Sequence, residues 1–375
     1  MIWDEAAGDG APGVTTGTPL SPSIVSDIRA GRRVGREAAI EMMRSRDLLT
    51  LGDLASGRRL QMLPDPQVTF IVDRNVNYTN VCVSGCRFCA FYRSPGAPDA
   101  YLLSTEEILE KARETVALGG TGLMLQGGLH PELPIEWFET LFRELKQRFP
   151  QLDLHSLSPP EIVYVARLSG LSVAETLSRL GRAGLDSLPG GGAEILVDAV
   201  RRELAPGKAT TAEWLEVMRE AHRQGMKTTA TMMFGSIESV EDRVEHLQQV
   251  RALQDETGGF RAFIPWTFQQ ANTALAGRVA PATAVEYLVT LAVSRLYLDN
   301  VPSIQASWVT QGIKIGQVAL HFGANDLGST MIEENVVAAA GVTFEAGIKE
   351  LVHAIRRAGF IPVQRRSDYS PVRTF

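Results

Sequence analysis

The sequence has little cysteine, no long apolar segment and no excess of positive charge. Only three of its 375 residues are cysteines, too few for a disulfide framework, which predicts a protein of a reducing compartment, the cytoplasm. The longest apolar candidate, Val285 to Leu298, contains Glu286 and Arg295 and falls short of the roughly 20 residues that span a bilayer. The net charge of −6 offers no basic footprint for nucleic acid. We therefore expect a cytoplasmic protein that binds neither nucleic acid nor membrane.

The three cysteines lie in one short stretch, Cys82-Val-Ser-Gly-Cys86-Arg-Phe-Cys89. Thiolates at this spacing can converge on one metal centre. Structural zinc sites and closed [4Fe-4S] clusters take four protein ligands, and the chain has no fourth cysteine. Three cysteines on a [4Fe-4S] cluster would leave one iron open to a small molecule. Three unrelated buried thiols, or a zinc site completed by histidine, are the alternatives.

The chain divides by pattern into four segments. Residues 1–21 are rich in Gly, Pro and Thr and predict a mobile tail, and residues 22–65 predict a small helical cap. Residues 66–341 alternate short apolar runs with amphipathic helices, and residues 342–375 add a helical extension ending in an apolar-basic tail. Eight strand–helix alternations predict an α/β fold, a (β/α)8 TIM-type barrel. A doubly wound open sheet is the alternative.

Residues suited to binding and catalysis follow the predicted strands, where the loops of a barrel build its active site. The glycine turn at residues 189–194 lacks the Gly-Lys-Ser/Thr ending of a Walker loop. It ends in Glu194, whose carboxylate can accept two hydrogen bonds from sugar hydroxyls. Two histidines at strand ends are better ligand candidates than those on amphipathic helices, which we expect at the surface. The strand-end pair is His130 and His155, and the helical ones are His222, His246 and His353.

The pattern C-x3-C-x-aromatic-C, with Phe88 as the aromatic residue, resembles the radical S-adenosylmethionine (SAM) superfamily. Longer stretches resemble one clan of it, which contains the futalosine-pathway menaquinone enzymes and the deazaflavin-chromophore synthase subunits. These stretches are residues 73–82, 89–93, 127–131, 190–195, 255–259 and 323–328. Within the clan, residues 232–235, 263–269 and 305–312 are most similar to the members that cyclise dehypoxanthine futalosine.

The resemblance implies a radical SAM barrel in which a [4Fe-4S] cluster on Cys82, Cys86 and Cys89 holds SAM at its open iron. Two departures from the family pattern stand in the SAM site, since Leu129 occupies the position of an acid and Thr231 that of a glycine. The implied SAM contacts are Phe88, Gly127, Gly128, Glu194, Met233, Gly235 and Glu238.

The resemblance also implies a reaction. An electron, from a donor such as a flavodoxin or ferredoxin, cleaves SAM, and the 5′-deoxyadenosyl radical removes hydrogen from carbon 4′ of the substrate ribose. The sugar radical then adds to the benzoate ring. The alternative is a sister reaction of the same clan, that of aminofutalosine synthase or of a deazaflavin-chromophore synthase subunit. The expected substrate contacts are His155, Gln305, Trp308 and Asn325, the expected cations for the benzoate are Arg74, Arg93 and Lys314, and the expected catalytic proton acceptors are His130 and Asp326.

Overall fold

The computed structural model describes residues 19–45 and 47–375, so the predicted tail at residues 1–21 lies almost wholly outside the described residues. The strands are β1 (Gln67–Ile71), β2 (Asp73–Val76), β3 (Gly122–Leu125), β4 (Asp153–Leu154), β5 (Thr228–Phe234), β6 (Phe260–Thr267), β7 (Ser303–Ile304), β8 (Asp326–Ser329), β9 (Ile361–Arg365) and β10 (Pro371–Thr374). The helices are α1 (Pro22–Arg29), α2 (Arg36–Arg44), α3 (Leu48–Met62), α4 (Thr105–Ala117), α5 (Ile135–Arg148), α6 (Pro159–Leu168), α7 (Val173–Ala183), α8 (Asp198–Leu204), α9 (Thr211–Arg223), α10 (Val240–Thr257), α11 (Ala284–Tyr297), α12 (Trp308–Ala319), α13 (Val336–Ala339) and α14 (Ile348–Arg357), with a 3-10 turn at Leu320–Phe322.

The strands close into a ring. Parallel pairing runs from β2 through β3 to β4 and from β5 through β6 to β7. It also joins β8 to β1, which is followed after one residue by β2. Single bridges continue the ring from His155 to Ser187 and from Gln305 to Asp326. The segment that contains Ser187 and Leu188 stands between β4 and β5 in the ring. The Thr229 N–H donates to the Leu188 carbonyl at 3.3 Å, which links this segment to β5. The predicted (β/α)8 barrel is therefore confirmed, and the open-sheet alternative is wrong because the sheet has closed on itself.

Helix starts in the barrel are fixed by a hydroxyl residue three positions ahead of a glutamate. The hydroxyl accepts from the backbone N–H of the glutamate, whose carboxylate accepts from the backbone N–H of the capping residue. The sequence predicts such boxes at Ser104–Glu107, Ser158–Glu161, Ser172–Glu175 and Thr210–Glu213. Three of the four are present, while at Ser172 only the hydroxyl half forms. These caps set where α4, α6 and α9 leave the loops that surround the barrel opening. The helix predicted to start at Thr330–Glu333 is absent there, since α13 begins at Val336.

The C-terminal extension has the expected helix, α14, but strands in place of the expected tail. After α14, the chain forms β9, which pairs with β1 in parallel over residues 67–71 and 361–365, and then β10, which pairs back antiparallel. We call β9, β10 and the turn between them the C-terminal hairpin. It lies beside the first barrel strand, opposite β8. The boundaries drawn at residues 22, 66 and 342 between cap, barrel and extension stay predictions.

The N-terminal helices cover the side of the barrel that carries α10 and α11. Helix α3 packs against α11, and α2 packs against both α10 and α11. Within the described part of the chain, no helix has the length and apolar character needed to cross a membrane.

Candidate functional site

One cavity of about 360 Å³ lies inside the barrel, and residues from the strands, the loops after them and the C-terminal hairpin line it. Its charged side chains form two groups. The cysteine end is defined by Cys82, Cys86, Phe88, Cys89, Glu194 and Lys208. The hairpin end is defined by Asp73, His155, Ser329, Arg365, Ser367 and Tyr369.

The cysteine loop brings two sulfurs to one hydroxyl. The Ser84 hydroxyl lies 3.0 Å from the Cys82 sulfur and 3.2 Å from the Cys86 sulfur. The Cys89 N–H donates to the Cys86 carbonyl at 3.3 Å, and all three cysteines line the cavity. Among the described residues no three His, Cys, Asp or Glu side chains are grouped as ligands of a single metal ion. A cubane cluster makes a different demand, since each thiolate binds its own iron, and a three-thiol loop open to a cavity fits that demand.

Lys208 is a residue of the site that the sequence reasoning missed. Its ammonium lies 2.9 Å from the Glu194 carboxylate and 5.0 Å from the centre of the Phe88 ring. Burial lowers the pKa of Lys208, but Glu194 and the Cys86 sulfur outweigh burial and raise the pKa overall, so the ammonium stays charged. Burial also raises the pKa of Cys86, to about 11, against the opposing effect of Lys208. A lone lysine in a loop gives no spacing signal in the sequence.

Glu194 keeps one oxygen available to a ligand. The residue is 6% exposed, and Arg201 lies 3.6 Å from its Oε2. That Oε2 has no hydrogen-bond partner in the described structure. Glu194 also has a left-handed φ of 39°, and its carbonyl accepts from the Met233 N–H at 3.0 Å. A buried acceptor left over beside the cavity is the feature that a sugar hydroxyl would satisfy.

Gly127 and Gly128 line the cavity, but their N–H groups are already used. The Gly127 N–H donates to Glu161 at 3.0 Å and the Gly128 N–H donates to the Thr79 carbonyl at 3.1 Å. A Cβ at position 128 would lie 2.1 Å from the Val81 carbonyl oxygen. The glycines therefore allow two loops to pack closely, and their carbonyl oxygens are the backbone groups that remain for a ligand.

The structure brings none of the three residues predicted from the strand-five pattern to the cavity lining. Met233 is fully buried in the core. The Glu238 side chain is 0% exposed and accepts hydrogen bonds from the N–H groups of Gly235 and Ser236 at 2.6 and 2.9 Å. The turn after β5 bends back on itself at Gly235, and Glu238 holds that turn instead of facing the cavity.

Of the predicted substrate contacts, His155, Gln305 and Trp308 line the cavity and Asn325 does not. The His155 Nδ1 lies 2.7 Å from the Ser187 hydroxyl, and burial together with Arg365 lowers the pKa of His155 to about 3, so the ring is neutral. The Asn325 side chain instead accepts from Arg295 at 2.5 Å and from the Ile304 N–H at 2.9 Å. The Asn325 side chain therefore links β7 to the start of β8, outside the cavity lining.

Neither predicted proton acceptor stands in the cavity lining. Asp326 is 0% exposed and accepts from Arg365 Nε at 2.6 Å, from Arg365 Nη2 at 3.0 Å and from the Gly328 N–H at 2.7 Å. Because β8 begins at Asp326, its side chain lies at the start of the strand, not on the loop after it. His130 accepts from the Glu132 N–H at 3.1 Å outside the lining.

The predicted cations also lie away from the cavity lining. Arg74 pairs with Glu114 at 2.7 Å, Arg93 pairs with Asp99 at 2.5 Å, and Lys314 is exposed.

Of the three histidines expected at the surface, His246 is buried and His222 is half-buried. His246 is 0% exposed and accepts from the Leu196 N–H at 3.0 Å. His222 contacts the hydroxyls of Thr257 and Thr228 at 2.6 and 2.7 Å. Both side chains are thereby enclosed by a neighbouring strand or loop that the helical pattern alone does not show.

The hairpin end joins carboxylates, a guanidinium and a phenol that are far apart in the chain. Asp73 accepts from the Ser329 hydroxyl. Burial raises the pKa of the Asp73 carboxyl, and the nearby Asp326 carboxylate raises it further. The hydrogen bond from Ser329 and the charge of Arg365 act in the opposite direction, but the pKa remains raised. The Arg365 guanidinium lies 3.8 Å from the centre of the Tyr369 ring. The sequence did not predict Arg365 and Tyr369, because the C-terminal segment gave no strand signal.

Comparison with known proteins places this site in a family. Residues 76–250 match the radical SAM superfamily, and residues 257–374 match the CofH/MqnC C-terminal region. A relative from Halalkalibacterium halodurans, named cyclic dehypoxanthine futalosine synthase, is 46% identical over 345 residues, covering 92% of this chain and 93% of the relative. The chain therefore belongs to the radical SAM superfamily, among the enzymes that carry the CofH/MqnC C-terminal region.

Further relatives carry two different names. A cyclic dehypoxanthine futalosine synthase from Streptomyces coelicolor is 44% identical, covering 95% of this chain and 90% of the relative. A 5-amino-6-(D-ribitylamino)uracil–L-tyrosine 4-hydroxyphenyl transferase from Methanopyrus kandleri is 45% identical, covering 82% of this chain and 85% of the relative. Methylornithine synthase has a similar structure, with a TM-score of 0.72 at 20% identity over 92% of this chain and 98% of that one, which shows the fold alone.

Proposed function

We propose that this chain cyclises dehypoxanthine futalosine to cyclic dehypoxanthine futalosine in menaquinone biosynthesis, as a [4Fe-4S]-dependent radical SAM enzyme. The observation that carries the proposal is one cavity, inside the barrel, that has two charged ends. Cysteines, an ammonium and an unpaired acceptor stand at one end, and a separate polar group stands at the other. The names of the relatives at 44 and 46% identity supply the substrate.

The cysteine end is proposed to hold the cluster and SAM. Cys82, Cys86 and Cys89 would ligate the cluster, and the carbonyl oxygens at Gly127 and Gly128 would accept from the SAM amino group. The Lys208 ammonium would meet the SAM carboxylate and Glu194 Oε2 the ribose hydroxyls, while Phe88 packs beside them. When bound, the cluster and SAM would supply electron transfer and a 5′-deoxyadenosyl group that removes hydrogen. The protein's own part is placement and exclusion of water.

His155, Gln305 and Trp308 are proposed to hold the second substrate between the two ends. The Trp308 ring is fixed by a bond from its Nε1–H to the Ser329 carbonyl at 3.1 Å. His155 is neutral and fixed by Ser187, so it can bond a ligand without adding charge. A reduced flavodoxin or ferredoxin is the electron donor that we propose.

The experiment that tests the function is anaerobic. The reconstituted, reduced protein is incubated with SAM and dehypoxanthine futalosine, and mass spectrometry follows 5′-deoxyadenosine and the cyclised product. We expect one cyclised product per 5′-deoxyadenosine, and no turnover in a Cys89→Ala control. Release of 5′-deoxyadenosine without the cyclised product would refute the proposal, and a protein that takes up zinc but no iron under these conditions would indicate a zinc-binding module.

The second candidate function is the transferase reaction, which the 45% identity to the Methanopyrus kandleri relative favours. The same incubation with L-tyrosine and 5-amino-6-(D-ribitylamino)uracil in place of dehypoxanthine futalosine separates the two. A 4-hydroxyphenyl adduct would assign this chain to the transferases.

Bond formation between the sugar radical and the benzoate ring leaves a ring radical that still carries a hydrogen on the bonded carbon, and the ring becomes aromatic again when it loses one electron and one proton. The electron would go to a one-electron acceptor such as the oxidised flavodoxin or ferredoxin, and we assign acceptance of the proton to Asp73. This carboxylate lines the cavity, whereas Asp326 is saturated by Arg365. Its raised pKa brings it closer to the range of an effective general base.

For Asp73→Asn, we expect 5′-deoxyadenosine still to be released while the yield of cyclised product per 5′-deoxyadenosine falls by about 10²-fold or more. The control is Glu334→Gln, at a cavity-lining carboxylate that accepts from the Val336 and Val337 N–H groups at 2.8 Å. That control should keep the product ratio of the unaltered enzyme. An Asp73→Asn enzyme with an unchanged ratio would show that another group takes the proton.

A further inference from the structure

We propose that Arg365 and Tyr369, on the C-terminal hairpin, form the subsite that binds the aryl carboxylate of the second substrate. The inference rests on the proposed function, since it names the substrate group that the hairpin end of the cavity recognises. It also gives the C-terminal hairpin a role in specificity, because the hairpin brings both side chains into the barrel.

Tyr369 combines a left-handed backbone with a buried hydroxyl that a ligand would satisfy. Its φ of 70° lies in the left-handed region, which residues with a side chain adopt rarely. Its hydroxyl is buried and no hydrogen bond of ordinary geometry reaches it within the described structure. Arg365 interacts with the phenol electrostatically and as a hydrogen-bond donor, from over the face of the ring, 3.8 Å from its centre. A guanidinium has no acceptor, so the hydrogen of the Tyr369 hydroxyl is left without one. A buried O–H without an acceptor is the group that a bound carboxylate satisfies.

Arg365 has donors left after its internal bonds are counted. Its Nε and Nη2 donate to Asp326 at 2.6 and 3.0 Å, and its Nη1 donates to the Arg366 carbonyl at 3.1 Å. Each Nη nitrogen carries a second hydrogen, so the edge that joins Nη1 and Nη2 can still donate. The Asp326 carboxylate fixes the guanidinium in orientation before any ligand arrives.

The donor set favours a carboxylate over a sugar hydroxyl. The Tyr369 O–H and the remaining Arg365 N–H groups are donors, and a carboxylate offers two acceptor oxygens without a proton of its own. Among the described residues that line the cavity, the cationic side chains are Lys208 and Arg365. Lys208 pairs with Glu194 at the cysteine end, where SAM is proposed to bind. Each cation is already paired with one carboxylate of the chain. Its remaining N–H donors would therefore meet the carboxylate of a reactant, that of SAM at Lys208 and that of the benzoate at Arg365.

The test compares two ligands on the reconstituted enzyme, with SAM present and no reductant, so that binding is measured without turnover. The ligands are dehypoxanthine futalosine and the analogue that lacks the ring carboxylate. We expect the unaltered enzyme to prefer the first, and Tyr369→Phe to reduce that preference by about tenfold or more. Under turnover, Tyr369→Phe should raise KM more than it lowers kcat. The matched control is Tyr92→Phe, at the cysteine end of the cavity, which should keep the preference intact.

Equal affinity of the unaltered enzyme for the two ligands would overturn the subsite, and this measurement stands even if Tyr369→Phe does not fold. An unchanged preference in a folded Tyr369→Phe enzyme would overturn the part assigned to the hydroxyl. Failure of the proposed function has a different signature, because the unaltered enzyme would then bind neither ligand and form no cyclised product.

Discussion

The carboxylate of Glu238 accepts hydrogen bonds from three groups besides the Gly235 N–H. The Ser236 N–H and hydroxyl donate at 2.9 and 2.7 Å, and Arg243 Nε donates at 2.8 Å. Arg243 in turn pairs with Glu286 at 2.7 Å. At the scale of single residues, Glu238 is therefore the anchor of the turn after β5, although its position in the sequence pattern indicates a SAM contact.

Glu238→Gln should lower the free energy of unfolding while leaving SAM binding intact. Removing the charge leaves the buried Arg243 with a weaker partner, which we expect to cost about 2–3 kcal/mol. Urea unfolding measures the stability, and equilibrium binding without reductant measures SAM affinity, which should change less than about twofold. Glu194→Gln is the comparison, with an expected loss of about tenfold in SAM affinity. A similar loss of SAM affinity in Glu238→Gln would show that Glu238 contributes to the SAM site.

Sequence reasoning reaches the residue types of the site better than their partners. The cysteine loop, Gly127, Glu194 and His155 could be named because they follow predicted strands. Asp326 was named for the same reason, but its partner Arg365 lies 39 residues further along the chain. Which way a side chain points at the start or end of a strand depends on the register of that strand, and one residue of register reverses the face.

At the scale of elements, the loop after β3 and the cysteine loop pack directly on each other. The Val83 N–H donates to the Leu129 carbonyl at 3.1 Å, and Gly128 has no room for a side chain beside Val81 and Cys82. The position of Cys82 therefore depends on a glycine in a different loop.

Gly128→Ala should displace the cysteine loop and reduce iron uptake on reconstitution. A Cβ at 2.1 Å from the Val81 oxygen and 2.8 Å from the Cys82 Cβ cannot be accommodated without moving backbone. We expect the iron content per chain to fall by about half or more, by metal analysis and absorbance. Gly57→Ala, on α3, is the control, because a Cβ there meets nothing within 4 Å and the backbone is not left-handed. Full iron loading in Gly128→Ala would show that the contact does not position the loop.

The helices of the fold were easier to predict than its strands. Capping boxes mark helix starts within a few residues of sequence, so they are local signals. Strand β4 has two residues and β7 has two, too few to show a period. In β9 the last four of the five residues are buried in a row instead of alternating with exposed ones, because β1 and α14 enclose the strand. Such a strand cannot be recognised by its period.

At the scale of the whole molecule, the first barrel strand meets two segments from the far end of the chain. Strand β1 pairs with β8, which closes the ring, and with β9 of the C-terminal hairpin, and that hairpin supplies Arg365 and Tyr369 to the cavity. Closure of the ring and completion of the hairpin end therefore depend on contacts between distant segments. The sequence shows the number of strand–helix units but not these contacts, since neither pairing leaves a local pattern.

Burial of neutral histidines makes the stability of the whole molecule depend on pH. Burial, with Arg201 as a second cause, lowers the pKa of His246 to about 3, and His155 and His222 are lowered to about 3 and about 4. In the unfolded chain, each of these histidines takes up a proton as the pH falls below its ordinary pKa of about 6.5. In the folded chain, it stays neutral until the pH approaches the lowered pKa. The contribution of each histidine is therefore complete above that pKa and is lost as the pH falls toward the folded value.

We expect the free energy of unfolding attributable to His246 to fall by about 1 kcal/mol per pH unit between pH 6.5 and 5, a window chosen to lie above the titration of ordinary carboxylates. The matched variant is His246→Asn, whose amide oxygen can accept from the Leu196 N–H as the imidazole does but does not titrate. Urea unfolding of both proteins over this range gives the difference directly, because effects of other groups cancel. A His246→Asn protein whose stability falls as steeply as that of the unaltered chain would show that His246 is protonated in the folded state, contrary to the burial of its ring.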